Sequence, residues 1–319
     1  MAMGTGSRGT GGDAVHQPVL LTEIVEQLSV RPAGVYVDAT LGEGGHSSAI
    51  LEASSPSGRV LGIDLDPRSL ASATERLAQF GQRFTPAHGN YGDMGILAES
   101  VGIIQADGVL MDLGFSSRQV QGPGYGFSFQ SDEPLDMRYD PGSPLTAAQV
   151  VNNYSEEDLA GVIFRYGEEH RSRAIARRIV RNRPVVSTVQ LAALVEDAIG
   201  PRRGRRLHPA TRTFQALRIE VNDELGNLSQ GLAAAVLLLA VSGRLVVISY
   251  HSLEDRVVKT YLTRESSACI CPPGVPVCVC GHQPTLKLVH RRVIKPSVQE
   301  IQRNPRSRSA KLRVAYRLE

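Results

Sequence analysis

The sequence lacks an apolar run long enough to cross a membrane. The apolar run Ala233–Val241 ends at Ser242 and Gly243, far short of the roughly 20 residues that a span requires. Residues 1–14 are rich in Gly, Thr and Ser and contain no apolar stretch of the kind found in signal peptides, so we expect a disordered tail there. We therefore expect a cytoplasmic protein that does not act at a membrane.

A disulfide framework is also missing, because all four cysteines lie within the twelve residues 269–280. Disulfide scaffolds instead distribute their cysteines over a small secreted fold. With 42% hydrophobic and 21% charged residues, the 319-residue chain has a globular composition, which excludes a fully disordered or collagen-like protein. Its length indicates one large domain or two ordinary ones.

Lysine is absent from the first half of the chain, and this absence is part of a strong charge asymmetry. Residues 1–160 carry 8 arginines against 20 acidic residues, a balance of −12, whereas residues 161–319 carry 27 basic and 12 acidic residues, a balance of +15. The basic residues form three groups: Arg165–Arg183; Arg202, Arg203, Arg205, Arg206 and Arg212 around His208; and Lys287–Arg317. Because phosphate contacts need such charge, we predict that the second half binds RNA.

Short β-rich runs alternate with helical patterns from residue 35 to residue 112. The patterns predict strands and helices in the order Val35–Asp38, His46–Glu52, Arg59–Ile63, Ser69–Phe80 and Ala106–Met111. Alternation of this kind is typical of an α/β fold with a doubly wound parallel sheet.

The pattern changes after Asp112. Residues 114–144 are rich in Gly, Pro and aromatic residues without a period, and no strand is predicted between about 120 and 210. Helices are predicted at Glu168–Arg183, at Val189–Ile199 with Thr188 as its cap, and at Ala216–Val241 with a break at Gly226 or Gly231, before a strand at Arg244–Tyr250. A helical segment is therefore inserted into the α/β domain.

The turn Asp38–His46 is rich in glycine and joins a predicted strand to a predicted helix, an arrangement that lets a ligand approach the backbone. The next strand ends in Asp64, 22 residues after Gly42, where a carboxylate can bind the ribose hydroxyls of a nucleotide. The run Gly-Glu-Gly-Gly-His has no sixth-position glycine, so it departs from the dinucleotide fingerprint. Asp38 instead suits an ammonium group, which favours S-adenosylmethionine.

Three further residues lie at or after the ends of predicted strands of the same sheet. Tyr91 either lies against an adenine or is an ordinary loop aromatic, and His46 either contacts the cofactor or caps its helix. Asp112 ends the fourth strand, where an acceptor for an amine hydrogen would stand.

These motifs, with several others, resemble the bacterial small-subunit ribosomal RNA cytosine-N4 methyltransferases. The resemblance covers roughly residues 15–319 and is carried by the strings His16–Leu21, Asp38–His46, Asp112–Ser117, Gly126–Phe129, Pro134–Arg138, His208–Ala216 and Ser249–Arg256.

The resemblance implies a Rossmann-like class I methyltransferase domain made of residues 15–119 and 213–319. An all-helical substrate-recognition domain, residues 120–212, would interrupt it. The implied activity is methyl transfer from S-adenosylmethionine to the N4 amine of one cytidine in the decoding region. The implied partner is ribosomal RNA or the assembling small subunit. The protein could also form a homodimer. The implied cofactor contacts are Gly44, Gly45, His46, Asp64, Tyr91, Asp112 and Gln119, with Asp112 also catalytic.

Asp112-Leu113-Gly114-Phe115 matches the usual amino-methyltransferase motif only in its acid and its aromatic residue, since it has no prolines. Asp112 could therefore contact the target amine or mainly the cofactor. The aromatic residues that follow could stack on RNA bases or pack beneath the loop: Phe115, Tyr125, Phe127 and Phe129. Ser249 to Ser252 contain Ser and His, but no nucleophile elbow supports a hydrolase.

Cys269, Cys271, Cys278 and Cys280 form two Cys-x-Cys pairs. They could hold one structural zinc ion, remain free thiols on one face of a hairpin, or oxidise to disulfides. For the whole protein, methylation of another base or of DNA, and a ribosome-assembly factor without catalysis, are the alternative functions.

Overall fold

Strands and helices alternate along the first third of the chain, as the apolar spacing predicts. The computed structural model describes residues 18–114, 124–200, 208–272, 274 and 277–319. Up to the fourth strand the elements are α1 Leu21–Gln27, β1 Val35–Asp38, α2 Gly45–Ala53, β2 Arg59–Asp64, α3 Pro67–Leu77, β3 Phe84–His88, α4 Met94–Ser100 and β4 Ala106–Asp112, with 3-10 turns at Ala78–Arg83 and Tyr91–Asp93.

The remaining elements begin with a run of helices and end with three strands. They are α5 Ala147–Asn153, α6 Glu156–Gly167, α7 Ser172–Arg181, α8 Thr188–Ile199, α9 Thr211–Asn222, α10 Glu224–Leu238, β5 Leu239–Ser249, α11 Ser252–Glu265, β6 Leu286–Leu288, α12 Val298–Arg303, a 3-10 turn Pro305–Ser309 and β7 Lys311–Arg317. Within residues 124–200 the structure has no strand, only a bridge between Pro134 and Ser187.

The described strands form one sheet in the order β3-β2-β1-β4-β5-β7-β6. The first five are parallel, and β7 lies antiparallel between β5 and β6. The predicted α/β, doubly wound fold class is therefore confirmed. Chain order reverses between β1 and β4, and ligands of such sheets bind beyond the carboxyl ends of the strands at that point.

Alternate residues of each central strand enter opposite hydrophobic cores. Val37, Leu61 and Met111 face a core completed by α4, α10 and α11. Tyr36 and Leu110 face the other core, with residues of α1, α2 and α3. Successive side chains of a strand point to opposite faces, so both sides of the sheet are covered.

A third hydrophobic core lies among the helices that follow β4. Val150, Leu159, Ile163, Ile179 and Val195 are fully buried in it, and α9 adds Phe214, Leu217 and Val221. Because these residues pack on one another rather than on the sheet, the helices form a second unit beside the sheet.

The long helix predicted at Ala216–Val241 is wrong in its boundaries. The chain breaks at Asp223, which has a left-handed φ of 43°, while Gly226 and Gly231 both lie inside α10. A Cβ on Gly231 would stand 2.4 Å from the ring of Tyr91. Close packing, and not helix termination, therefore explains this glycine.

Other predicted boundaries shift by a few residues. Ser187, and not Thr188, caps α8 by accepting the Gln190 N–H. The predicted helix from Glu168 starts only at Ser172, because Glu168 itself ends α6 with a φ of 49°. Among the helices that the structure describes, none is both long and apolar enough to cross a membrane.

The separate cores predict that damage to one unit stays local. Ile163→Ala removes a fully buried side chain from the helical core, which should lower the free energy of unfolding by about 2–5 kcal/mol. We expect amide hydrogen exchange to accelerate across α5 to α9 and to stay unchanged in β1, β2 and β4. The matched variant Leu61→Ala in the sheet core should show the reverse distribution, and equal acceleration in both units would contradict two separate cores.

Candidate active site

Three aspartates end neighbouring strands at the carboxyl edge of the sheet. Asp38, Asp64 and Asp112 are the last residues of β1, β2 and β4. Because parallel strands bring their carboxyl ends to one edge, these three carboxylates surround the point where the strand order reverses.

The glycine-rich turn after β1 borders this edge. Gly42 has a φ of 52°, and a Cβ there would meet no atom within 4 Å, so this position faces open space. Gly44 and Gly45 differ, because a Cβ on Gly44 would lie 3.0 Å from Leu77 and one on Gly45 2.4 Å from Pro18. Gly42 thus leaves room for a ligand, whereas Gly44 and Gly45 let the turn pack against the protein.

Asp64 is held by backbone donors on both sides. Its Oδ2 accepts the Gly42 N–H at 2.7 Å and its Oδ1 accepts the Asp66 N–H at 2.8 Å. Burial nevertheless raises the pKa of Asp64 to about 7. Asp66, not Asp64, caps α3 by accepting the Arg68 N–H. Asp64 instead bonds the glycine-rich turn at Gly42, where there is open space.

Asp38 is almost fully buried at the end of β1. Its carboxylate accepts the Ser47 hydroxyl at 2.7 Å and a weaker bond from the Thr40 N–H at 3.3 Å. Burial raises the pKa of Asp38, and the nearby His46 opposes that rise.

Asp112 carries the one carboxylate oxygen among the described residues that is both buried and without a hydrogen-bond partner, Oδ1. Its other oxygen, Oδ2, lies 3.8 Å from the Nδ1 of His46, whose Nε2 faces the Val19 carbonyl at 3.0 Å. Burial raises the pKa of Asp112. Since an unpaired buried carboxylate is unfavourable, the site is complementary to a cation or a hydrogen-bond donor.

Tyr91 lies in the 3-10 turn that follows β3. The Asn90 side chain shapes this turn by accepting the Gly92 N–H at 2.8 Å. The Tyr91 ring packs on Gly231 of α10 and is half-buried. This position places an aromatic ring at the same edge of the sheet as the three aspartates.

The sequence motif Ser249–Arg256 forms a polar network beside Asp112. Glu254 accepts the backbone N–H groups of Tyr250 at 2.8 Å and of His251 at 3.3 Å, and His251 caps α11. The Tyr250 hydroxyl faces Asp112, and burial raises the pKa of Tyr250 well above its usual value. The spacing of His251 and Glu254 is that of a capping box, a signal present in the sequence.

Glu224 extends this network toward the helical unit. The buried Arg218 donates to both of its oxygens, at 2.7 and 3.0 Å, and Tyr139 donates at 3.1 Å. Burial alone would lower the pKa of Arg218, but Glu224 and Tyr139 hold it above its usual value. The ligand atoms of Glu224, His251 and Glu254 come within 4.8 Å of one another, yet these existing bonds already occupy both carboxylates.

The aromatic residues after β4 pack inward where the structure describes them. Tyr125 is buried, donates its hydroxyl to Asp66 at 2.7 Å and lies under the Arg68 guanidinium. Phe129 stacks on His208, and Phe127 packs near Tyr125. Of the two alternatives for Tyr125, the structure favours packing beneath the loop, because its ring is enclosed. Phe115 lies outside the described residues.

A groove with basic walls lies beside the start of α11. It is lined by Phe164, Arg165, Glu168, His170, Arg212 and Arg256. The Phe164 side chain is 54% exposed, which is unusual for a large apolar ring. Glu168 joins the two sides by accepting the Ser252 hydroxyl at 2.5 Å and the Arg256 guanidinium at 2.8 Å.

Some arginines of the first basic group bind backbone carbonyls, and others are exposed to solvent. Arg171 and Arg183 donate to backbone carbonyls of Ile199 and Val151 and so tie the helices together. Arg173, Arg177 and Arg181 form an exposed stripe at four-residue spacing on α7. Arg202, Arg203, Arg205 and Arg206 lie outside the described residues.

Comparison with known proteins decides the family. The sequence profile of the MraW methylase family matches residues 13–318. The chain belongs to this family. It is 55% identical over 306 residues to "Ribosomal RNA small subunit methyltransferase H" of Thermomicrobium roseum, covering 95% of this chain and 94% of that protein.

Other similar proteins carry the same name or a related one. The methyltransferase H of Geobacter sulfurreducens is 51% identical over 308 residues, covering 95% of this chain and 99% of that protein. The structure of a rRNA methylase from Streptococcus thermophilus aligns with 96% of this chain and 100% of that chain at 10% identity and a TM-score of 0.43.

The structure brings the described candidate cofactor residues to one edge of the sheet. They are Gly44, Gly45, His46, Asp64, Tyr91 and Asp112, while Gln119 lies outside the described residues. Cys269, Cys271, Cys278 and Cys280 lie elsewhere, on the loop after α11. That helix has 14 residues and spans about 21 Å, so the cysteines stand far from Asp112.

The raised pKa of Asp64 predicts a pH-dependent stability. The Asp64 carboxyl group has a pKa of about 3.9 in the unfolded chain and of about 7 in the folded protein. The folded protein therefore loses stability as the pH rises through this window, because the ionised carboxylate is less favourable in the folded state. Asp64→Asn should therefore gain stability relative to the wild type between about pH 4 and pH 7, with no further gain above. Chemical denaturation of the ligand-free proteins at several pH values measures this. The exposed acid Asp93 supplies the control Asp93→Asn, and parallel pH profiles for Asp64→Asn and wild type would contradict the assignment.

Proposed function

We propose that this protein transfers a methyl group from S-adenosylmethionine to the N4 amine of a cytidine in the decoding region of small-subunit ribosomal RNA. The observation that carries the proposal is the buried, unpartnered Oδ1 of Asp112 at the strand-order reversal. An amine hydrogen or a cationic group would satisfy that oxygen.

The carboxyl edge of the sheet fits S-adenosylmethionine in charge and in shape. Asp64 would bind the ribose hydroxyls, Asp38 would face the ammonium group, and Tyr91 would lie against the adenine. Three buried carboxyl groups favour a ligand with two positive charges. Burial raises the pKa of each carboxyl group, and a nearby cation would stabilise its ionised form. The sulfonium of the cofactor would supply an electrophilic methyl group, and the open space at Gly42 leaves room for a ligand beside the turn.

Asp112 would act on the acceptor amine. The N4 lone pair of cytosine is delocalised into the ring, so the amine gains nucleophilicity when an acceptor draws on one of its hydrogens. As the nitrogen bonded to the methyl carbon, the sulfur–methyl bond would break with its electron pair left on sulfur, and the amine would pass one proton to the Asp112 carboxylate. Burial raises the pKa of Asp112 and thereby makes its carboxylate a better acceptor for that hydrogen.

The polar network orients Asp112 for this role. The Tyr250 hydroxyl faces the carboxylate from one side, and Glu254 fixes the backbone of Tyr250 by accepting its N–H. The target base must leave its stack to reach this edge, and a fixed carboxylate direction keeps the reacting atoms in line.

The basic groove would bind RNA next to this site. Phe164 offers a face for base stacking, and Arg165, Arg212 and Arg256 offer positive charge. Ser252 joins the groove to α11, whose cap is His251 of the polar network. We assign RNA recognition to the helical unit, residues 120–212, extended through α9 because Phe214 and Leu217 pack in its core.

Zinc has no part in this proposed transfer. The four cysteines follow the far end of α11, about 21 Å along the helix from the polar network, so a metal there could only support structure.

Asp112→Asn tests the chemistry. Single-turnover transfer from labelled S-adenosylmethionine to immature or mature small subunits should slow by about 10²–10⁴-fold, typical of losing a general base, while cofactor affinity by calorimetry falls much less. Mass mapping of the wild-type product should show N4-methylcytidine.

The product identifies the function. A methyl group on another base would replace the proposed specificity, and no transfer by the wild type would favour an assembly factor. Near-normal transfer by Asp112→Asn would remove the carboxylate from the mechanism.

Phe164→Ala tests the groove. Loss of one stacking partner is worth about 1–3 kcal/mol, so binding of small-subunit RNA should weaken roughly 5- to 150-fold, with cofactor affinity intact. Ile96 is 70% exposed on α4, and Ile96→Ala serves as the matched control. Equal RNA affinities for the two variants in a filter-binding assay would exclude Phe164 from the interface.

A further inference from the structure

The four cysteines meet at one point, although they come from two separate segments of the loop between α11 and β6. Their sulfur atoms all lie within 4.8 Å of one another. Cys278 Sγ is 3.4 Å from Cys269 Sγ, 3.9 Å from Cys271 Sγ and 3.5 Å from Cys280 Sγ, and Cys280 Sγ is 3.9 Å from Cys269 Sγ.

These separations are those of a tetrahedral thiolate site. Zinc–sulfur bonds of about 2.3 Å in tetrahedral geometry place the sulfur atoms about 3.8 Å apart. The four distances given above lie within a few tenths of an ångström of that value. Within each Cys-x-Cys segment the two sulfur atoms lie within 4.8 Å of each other, so two short segments supply all four ligands.

Backbone N–H groups surround the sulfur atoms. Cys271 N–H donates to Cys269 Sγ at 3.4 Å, Val279 N–H to Cys271 Sγ at 3.4 Å, and Ile270 N–H to Cys280 Sγ at 3.5 Å. Backbone N–H groups that donate to thiolate ligands stabilise their negative charge and fix their directions.

No described hydrophobic core supports this loop. Three apolar side chains that the structure describes here face solvent, with Ile270 40%, Val277 72% and Val279 82% exposed. At the end of the loop, Thr285 N–H donates to the Glu265 carbonyl at 2.9 Å, and His282 bonds the Arg264 carbonyl at 3.0 Å. A metal would therefore supply the cross-link that apolar burial does not, since metal binding contributes directly to folding.

We propose that Cys269, Cys271, Cys278 and Cys280 bind one structural zinc ion that fixes the connection between α11 and β6. With four protein ligands the ion keeps no open position for water, and so it activates none. The proposal is independent of the proposed methyl transfer.

Metal analysis of the full-length protein, purified without chelator, tests the site. We expect about one zinc per chain in the wild type and less than about a tenth in Cys271→Ser and Cys278→Ser. The matched control Val279→Ser also introduces a serine, but between the ligands Cys278 and Cys280, and it should keep the zinc. Metal-free protein titrated with Co²⁺ alone should develop the visible bands of a tetrahedral thiolate complex.

Three outcomes would overturn the proposal. The first is wild-type protein that contains no zinc and gives no tetrahedral spectrum with Co²⁺. The second is an equal zinc content in the cysteine-to-serine variants and the wild type. The third is an intact mass lowered by disulfide formation in protein isolated under reducing conditions. Limited proteolysis separates a structural role from adventitious binding, because cleavage near residues 267–284 should accelerate in Cys271→Ser but not in Val279→Ser. Equal cleavage of the two variants would also count against a structural ion.

Discussion

The desolvation of three carboxylates at one edge of the sheet is the constraint on which the rest of the site depends. Asp38, Asp64 and Asp112 end adjacent parallel strands, and burial raises the pKa of each. Such burial is unfavourable unless a partner compensates it. Ser47 compensates Asp38 and backbone N–H groups compensate Asp64, but one oxygen of Asp112 lacks a partner among the described residues. The proposed cofactor and amine would complete the set.

The start of α11 connects this edge to the helical unit. Glu254 fixes Tyr250 beside Asp112, while Ser252 bonds Glu168 at the end of α6. Glu168 has a left-handed backbone, a conformation that is uncommon outside glycine. A single helix cap thus lies between the proposed catalytic carboxylate and the groove proposed for RNA, which gives substrate binding a short physical route to the reacting group.

Neighbouring residues of one motif can serve unrelated purposes. In the turn Asp38–His46, Gly42 faces open space. A Cβ on Gly44 or Gly45 would instead crowd the side chains of Leu77 and Pro18. Likewise, Arg173 and Arg181 are exposed on α7, whereas Arg183 holds helix ends through the Val151 and Tyr154 carbonyls. Local patterns identify residue types, and packing then assigns each residue its role.

The sequence by itself determined the α/β alternation, the inserted helices and the three strand-end acids, because strand and helix periods are local and parallel strands share a carboxyl edge. It also placed four cysteines in two adjacent pairs. Only the tertiary structure decided that Tyr125 is enclosed, that the helix breaks at Asp223, and that Tyr250 and Glu254 support Asp112. Those outcomes depend on contacts between residues distant along the chain, which no local period encodes.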